Sequence, residues 1–326
     1  MKNPLRTLTE LVRAPAALSV PGDVLAGAAA AGVLGRRSAG LASASVLLYW
    51  AGMAANDWAD RDLDATERPE RPIPSGRISP TAALGVAAGL TAAGLAVAGR
   101  TGGGRALSVA VPLAAAVWAY DLRLKNTAAG PAGMALCRAL DVLLGATPGH
   151  PVRAVPTAAA IAVHTYTVTA LSRHEVSGSP SAALPSATLA TTAALTAVVA
   201  ATRPARPGGN AERAGNPERV GDPERSGSAV RSGNAERTVV LAGGRGRDAV
   251  TAILVGEYVR GYGPAQARLF ADPGAGRVRA SVGAGITGLP ALQGALISRS
   301  GRPLVGLALA MAAPLARRLA RTVSPT

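Results

Sequence analysis

The feature that most constrains this chain is that its apolar residues come in long unbroken blocks. They do not recur with the period of an amphipathic helix or strand. Eight or nine blocks approach the 20 or so residues that a helix needs to cross a bilayer. They lie at about 15–34, 40–57, 82–99, 104–121, 131–149, 155–171, 183–202, 278–298 and 302–321. A soluble all-helical protein is the alternative, but its helices should carry a polar stripe every 3.6 residues. Stretches such as PTAALGVAAGLTAAGLAVAG, residues 80–99, carry none. With 48% hydrophobic and only 16% charged residues, the expected fold is all-α, a polytopic membrane helical bundle of about nine transmembrane helices. The blocks are rich in Ala and Gly, which weakens each insertion signal but lets helix backbones approach closely.

The net charge of +15 is placed in the connections between blocks, not along one face, and aromatic residues are only 3% of the chain. That distribution argues against a nucleic-acid partner. Cys137 is the sole cysteine, so neither a disulfide framework nor a cysteine metal site can form within one chain. The N-terminus has basic residues before an apolar block but no small-residue cleavage site followed by a polar domain, and reads as a retained first membrane helix. Counting short-loop arginines and lysines predicts an integral, multi-pass plasma-membrane protein with the loops after the second, fourth and sixth blocks facing the cytoplasm. The bias is small, and Arg317, Arg318 and Arg321 oppose it.

The chain is expected to divide into residues 1–202, holding seven membrane helices, a low-complexity insertion at 203–237, and residues 238–326. The insertion repeats a Gly-x-x-Glu-Arg unit with Pro, Asn and Ser between, and has too few apolar residues to bury a core. After it, DAVTAILVGEYVRGYGPAQARLFADP reads as one or two amphipathic helices at the membrane interface, before the last two spans.

Against this apolar background residues 56–77, NDWADRDLDATERPERPIPSGR, concentrate carboxylates, arginines and prolines. Asp57, Asp60 and Asp64 stand at i, i+3 and i+7, so a helical continuation of the second block stacks them on one face and turns Asp62 elsewhere. Aligned carboxylates at a membrane edge repel one another and call for a cation. Their hard oxygens suit Mg²⁺, which commonly shares its shell between carboxylates and substrate phosphates. Arg68, Arg71 and Arg77 can add charge-assisted bonds to the same phosphates, on a proline-broken loop able to cover the site. A solvated loop of balanced charge is the bland alternative.

NDWADRDLD followed by ERPERPIPSGR resembles the first aspartate-rich motif, N-D-x-x-D-x-x-x-D then R-P-x-P-S-G, of the UbiA superfamily of intramembrane prenyltransferases. The resemblance implies a UbiA-like bundle of about nine membrane helices in which Asn56, Asp57, Asp60 and Asp64 bind Mg²⁺ and, through it, an isoprenyl diphosphate. YDLRLKNT at 120–127 is similar to the family's Tyr-Ser-x-x-x-Lys segment, which implies that Tyr120 and Lys125 approach the diphosphate; Asp121 stands where serine is usual. Interfacial anchoring is the alternative for these two. Asp57, Asp60, Asp64 and Lys125 are thereby implied to carry catalysis.

In the fifth block Arg138 and Asp141 stand three apart inside an apolar helix, a substrate-site candidate by default or a pair that neutralises itself facing the bundle. The family's second motif, roughly D-x-x-D-x-x-x-D, is reduced here to SRHEVSGS, with Ser172, Glu175 and Ser179 at the matching spacing. Only Glu175 keeps a carboxylate for metal or substrate, and whether a second Mg²⁺ binds stays open.

The implied activity is Mg²⁺-dependent transfer of a prenyl group from an isoprenyl diphosphate to a membrane-accessible acceptor that the sequence does not select. Two other classes remain: a non-catalytic polyprenyl-lipid binder that kept the first motif and lost the second, and a transporter whose pathway is lined by Arg138 and Asp141.

Overall fold

The computed structural model describes residues 4–13, 19–179, 181–201 and 226–312, with 226–245 as backbone only. Every regular element among them is helical, as the blocks require: in hydrocarbon a chain must satisfy its own backbone, and a helix does so within one segment. In chain order these are α1 (Pro4–Leu11), α2 (Val20–Ala30), α3 (Arg36–Ala59), α4 (Arg61–Glu67), α5 (Pro80–Ala119), a π turn (Tyr120–Leu124), α6 (Gly130–Ala146), a 3-10 turn (Pro151–Ala154), α7 (Val155–Ser172), α8 (Ala183–Ala201), α9 (Ser226–Ala271) and α10 (Ala275–Arg299). A final helix, α11, covers Pro303–Ala312. Prolines in the first turn open α2, α5, α6 and α7, where the missing N–H costs nothing. The hydroxyl of Ser79 caps α5 by accepting from the Ala82 amide at 3.2 Å.

Each of the nine apolar blocks overlaps a helix. The blocks at 82–99 and 104–121 are the two halves of α5, which reverses direction at Gly103, where φ is 64° and ψ −153°. The Trp118 indole donates to the Thr91 hydroxyl at 3.0 Å, whereas a straight helix would hold these residues about 40 Å apart. Among the described residues five helical stretches are long and apolar enough to cross a membrane: Arg36–Ala59, Pro80–Leu124, Pro151–Ser172, Ala183–Ala201 and Ala275–Arg299. Val20–Ala30 and Pro303–Ala312 are shorter apolar helices. The protein is an all-α integral membrane bundle.

The charged repeat lies outside the described residues over 203–225, while 226–237 belong to α9. The following segment, expected as short interfacial helices, continues the same 46-residue helix. Leu254, Tyr258, Tyr262 and Leu269 on it are buried in one cluster with residues of α7, α8 and α10, because its apolar side chains find helical partners. A second cluster joins α2, α3, α5 and α6.

Small residues set the spacing. A Cβ on Gly27 would overlap the backbone carbonyl of Val142, and one on Gly145 would overlap that of Val24, so α2 and α6 touch backbone to backbone at reciprocal glycines. This contact predicts that Gly145→Ala, which cannot be absorbed by a side-chain movement, lowers stability by about 1–3 kcal/mol. Gly85→Ala, where a Cβ meets open space, should be neutral or stabilising. Thermal unfolding of the two variants in detergent compares them directly.

Candidate active site

The site grows from the end of α3. Asp60 leaves the helix, with φ −88° and ψ 3°, and α4 begins at the next residue. The i to i−4 bonding nevertheless runs through the break: the amide of Asp60 donates to Asn56 at 2.9 Å, that of Asp64 to Asp60 at 2.8 Å and that of Arg68 to Asp64 at 2.8 Å. One face is therefore kept. Asp57 and Asp64 are buried, and the Asp60 side chain is partly covered. Asp62 is on the solvent side, with its side chain 86% exposed.

The proline-rich loop then folds back over these residues, with Ile73 buried against Leu11, Ala54, Ala55, Ala83 and Ala87. It delivers Arg71, whose Nη1 lies 2.5 Å from Asp64 Oδ2 and 3.4 Å from Asp57 Oδ1. Arg68 stands 3.6 Å from Asp64 Oδ1, an oxygen that is buried without a hydrogen-bond partner. Arg77 turns the other way. Its guanidinium pairs with Glu10 of α1 and donates to the Glu70 carbonyl at 2.6 Å. Burial pushes the Glu10 carboxyl up, but Arg77 and Arg6 outweigh it and leave the group below the usual carboxylate range.

Lys125 arrives from the other side of the site. The π turn is closed by the Lys125 amide donating to the Tyr120 carbonyl at 3.0 Å, the kind of local helix irregularity that often re-aims a side chain at a functional site. Lys125 Nζ then donates to Asp60 Oδ1 at 2.7 Å and to Asn56 Oδ1 at 2.8 Å. Asn56 in turn donates to Asp60 Oδ2 at 3.2 Å. Tyr120 is directed differently, its ring lying beside Gly133 of α6. Asp121 is buried, and its Oδ2 lies against Gly52, one helical turn before Asn56.

Not every candidate joins this cluster. Glu175 sits in the turn after α7, where its carbonyl accepts from Arg279 at 3.1 Å. Partial burial raises its carboxyl, and the charge that opposes this is Arg279, not a group near the aspartates. The turn still reaches the same end of the bundle, since the Arg173 guanidinium donates to the Thr127 carbonyl. Arg138 and Asp141 do not neutralise one another. Arg138 Nε pairs with Asp23 of α2 at 2.7 Å, and Asp141 accepts from Ser45 of α3. Gln293 of α10 closes the group by donating to Asp23 Oδ1 at 2.7 Å and to the Ser19 carbonyl at 2.9 Å.

Sequence reasoning missed Arg13, Glu10, Asp23 and Gln293. Asp23 was open to discovery, because it is an ionisable residue inside an apolar block, the signal that singled out Arg138. Arg13 and Glu10 belong to no motif and are brought in only by the docking of α1.

Among the described residues no three His, Cys, Asp or Glu side chains stand together closely enough to hold an ion by themselves. The donors at hand are nonetheless the hard oxygens that Mg²⁺ takes: the carboxylates of Asp57, Asp60 and Asp64 and the amide oxygen of Asn56. Each carboxylate is met by a basic side chain, and Asp64 Oδ1 has no hydrogen-bond donor. The residues fit a magnesium ion bound together with an anionic ligand.

The fold and site thus define a membrane helical bundle that carries carboxylates interleaved with basic side chains at one end. The sequence matches the UbiA prenyltransferase family over residues 18–202, and the chain belongs to that family. Among its curated relatives, the digeranylgeranylglyceryl phosphate synthase of Ignicoccus hospitalis is 40% identical over 128 residues, 38% of this chain and 40% of the relative. The bacteriochlorophyll synthase 33 kDa chain of Cereibacter sphaeroides is 42% identical over 103 residues, 30% of this chain and 33% of the relative. The matched stretches thus span less than half of either relative. The apo structure of a UbiA homolog from Aeropyrum pernix superposes with a TM-score of 0.57 at 18% identity, covering 86% of this chain and 96% of that one; this likeness concerns the fold.

The Asp23–Arg138 pair predicts that Asp23→Ala, which strands a buried guanidinium, costs about 3–5 kcal/mol of stability, while the double change Asp23→Leu with Arg138→Met recovers most of it. Thermal unfolding of the single and double variants in detergent provides the comparison.

Proposed function

We propose that the protein is a magnesium-dependent prenyltransferase that takes the prenyl group of an isoprenyl diphosphate and passes it to an acceptor reached from the bilayer. The observation that carries the reading is the interlocked cluster in which Asp57, Asp60 and Asp64 are each met by a basic side chain: Arg13 and Lys125 from distant segments and Arg71 from the loop that follows α4. A set of carboxylates and cations balanced in this way can exchange its internal ion pairs for a metal and a diphosphate without leaving either charge unmatched. The relatives named as synthases of digeranylgeranylglyceryl phosphate and bacteriochlorophyll support the same class of reaction.

In this reading Asp57, Asp60, Asp64 and Asn56 hold Mg²⁺, which when bound supplies Lewis-acid stabilisation of the diphosphate. Arg71, Arg68 and Lys125 bind its oxygens and take up the negative charge that grows on it as the allylic C–O bond ionises. The apolar residues around the site, among them Ala54, Ala55 and Ile73, exclude water that would otherwise quench the carbocation. An acceptor nucleophile then attacks the allylic carbon, and a proton leaves the product. Tyr120, whose ring lies beside Gly133 of α6, approaches the diphosphate in this reading only from the π turn that carries Lys125. Arg138 and Asp141 lie deeper in the bundle, engaged by Asp23 and Ser45, and Glu175 lies at the margin, where it meets a second metal only if the turn moves. The protein sits in the plasma membrane with this end facing the cytoplasm.

The test uses membranes containing the protein, labelled geranyl, farnesyl, geranylgeranyl and longer diphosphates, and cell extract as the source of acceptor, with and without Mg²⁺. Label should pass into lipid only with Mg²⁺, and absence of transfer from every donor would sink the reading. Asp57→Asn and Asp60→Asn should each weaken Mg²⁺-dependent binding of the diphosphate at least about tenfold, or roughly 1.4 kcal/mol. Asp62→Asn, on the exposed side, should leave binding unchanged. Arg71→Ala should weaken diphosphate binding even at saturating Mg²⁺; equal binding by all four variants would reduce the stretch to a solvated loop.

A further inference from the structure

The basic residue nearest Asp57 comes from outside the motifs. Arg13 Nη2 lies 2.6 Å from Asp57 Oδ1, the same oxygen that Arg71 approaches at 3.4 Å. Arg13 precedes the stretch that matches the family, which starts at residue 18, so its place in the site follows from tertiary structure. Its backbone is held with φ at 43°, a region that a side-chain-bearing residue enters only when its surroundings impose it. The surroundings do so from two directions. Leu11 is fully buried in the cluster with Ala54, Ala55, Ile73, Ala83 and Ala87, and Glu10 is clamped by Arg77 of the motif loop. Helix α1 is thereby held against α3, the motif loop and the start of α5, and the residue that follows its last turn, Arg13, puts its guanidinium on Asp57. That guanidinium remains accessible: the Arg13 side chain is 37% exposed, compared with 4% for Asp57 and 18% for Arg71.

We propose that Arg13 is a further diphosphate-binding residue, which in the unliganded protein occupies Asp57 as an internal counter-ion and moves to the phosphate oxygens when metal and diphosphate enter. The proposal rests on the function proposed above. A divalent cation cannot share one carboxylate oxygen with two guanidinium groups without strong like-charge repulsion. Arg71 is the more buried of the two and is also held by Asp64. Arg13 is the group free to leave, on a backbone turn that gains by relaxing. A guanidinium released beside a diphosphate has a better acceptor than water, since its forked donors match phosphate oxygens. Arg13 therefore opposes the metal alone and favours the metal together with the diphosphate.

This opposition of signs separates the proposal from a merely structural role. The experiment titrates full-length protein in detergent with Mn²⁺, following free Mn²⁺ by electron paramagnetic resonance, first alone and then with inorganic pyrophosphate. Arg13→Ala should bind Mn²⁺ alone about threefold more tightly than the parent, the scale of an ion pair removed from a partly exposed site. It should bind pyrophosphate in the presence of Mn²⁺ at least about tenfold more weakly, as expected for loss of a charge-assisted contact. Arg13→Lys, which keeps the charge but loses the fork, should match the parent for Mn²⁺ alone and fall between the two for pyrophosphate. If Arg13→Ala weakens Mn²⁺ binding, or changes neither titration, Arg13 is only a brace for α1 and the proposal is wrong. Asp57→Asn reports on the underlying reading separately: Mn²⁺ and pyrophosphate binding equal to the parent would overturn the metal site itself, whatever Arg13 does.

Discussion

The structure depends on matching buried carboxylates with cations drawn from distant parts of the chain. A carboxylate without a partner in a low-dielectric interior is too costly to keep charged, and three of the buried or half-buried aspartates meet theirs through long-range contacts. Asp60 requires Lys125, 65 positions later, and Asp57 requires Arg13, 44 positions earlier. Asp23 requires Arg138, which draws α2 and α6 together. These pairs act as clamps where dispersion between apolar helices carries no directional information, because lipid tails offer an apolar helix nearly the same contacts as another helix.

The clamps work only because the helices come close. Glycine at 27 and 145 removes the side chains that would hold α2 and α6 apart, and short contact between backbones brings Arg138 within reach of Asp23. In the same way Gly52 leaves room for Asp121 between α3 and the π turn. Small residues and buried charges are thus two parts of one design. Close packing excludes water and so strengthens each ion pair, and each ion pair sets the register of the packed helices.

The two halves of the bundle use polar residues differently. In the first half, charged residues gather at one end around the loop of 68–79 and Lys125, and deeper in the bundle around Asp23, Arg138 and Asp141. The second half carries buried neutral hydrogen bonding instead: His164 Nδ1 lies 2.8 Å from the Tyr258 hydroxyl, and Gln266 donates to Thr192 at 3.1 Å. The turn at 173–177 follows this division. It touches the first half through Arg173 and Thr127, yet Glu175 is held toward α10. A single remaining carboxylate has no like-charge neighbour to force it toward a metal.

By itself the sequence determined the helical bundle, since unbroken apolar blocks admit no other way to satisfy the backbone in a bilayer, and it determined the face shared by Asp57, Asp60 and Asp64, since helical spacing is a local property. The reversal at Gly103 was legible as a gap between two blocks. Tertiary structure alone decided which cation meets which carboxylate. Arg138 and Asp141, one turn apart on one helix, meet Asp23 and Ser45 of facing helices. Arg77, beside Arg71 in the motif loop, turns to Glu10, while Arg13, outside every motif, reaches Asp57. Local spacing fixes the direction in which a side chain leaves its helix, but an ion pair forms between chain ends that only the packed bundle brings together.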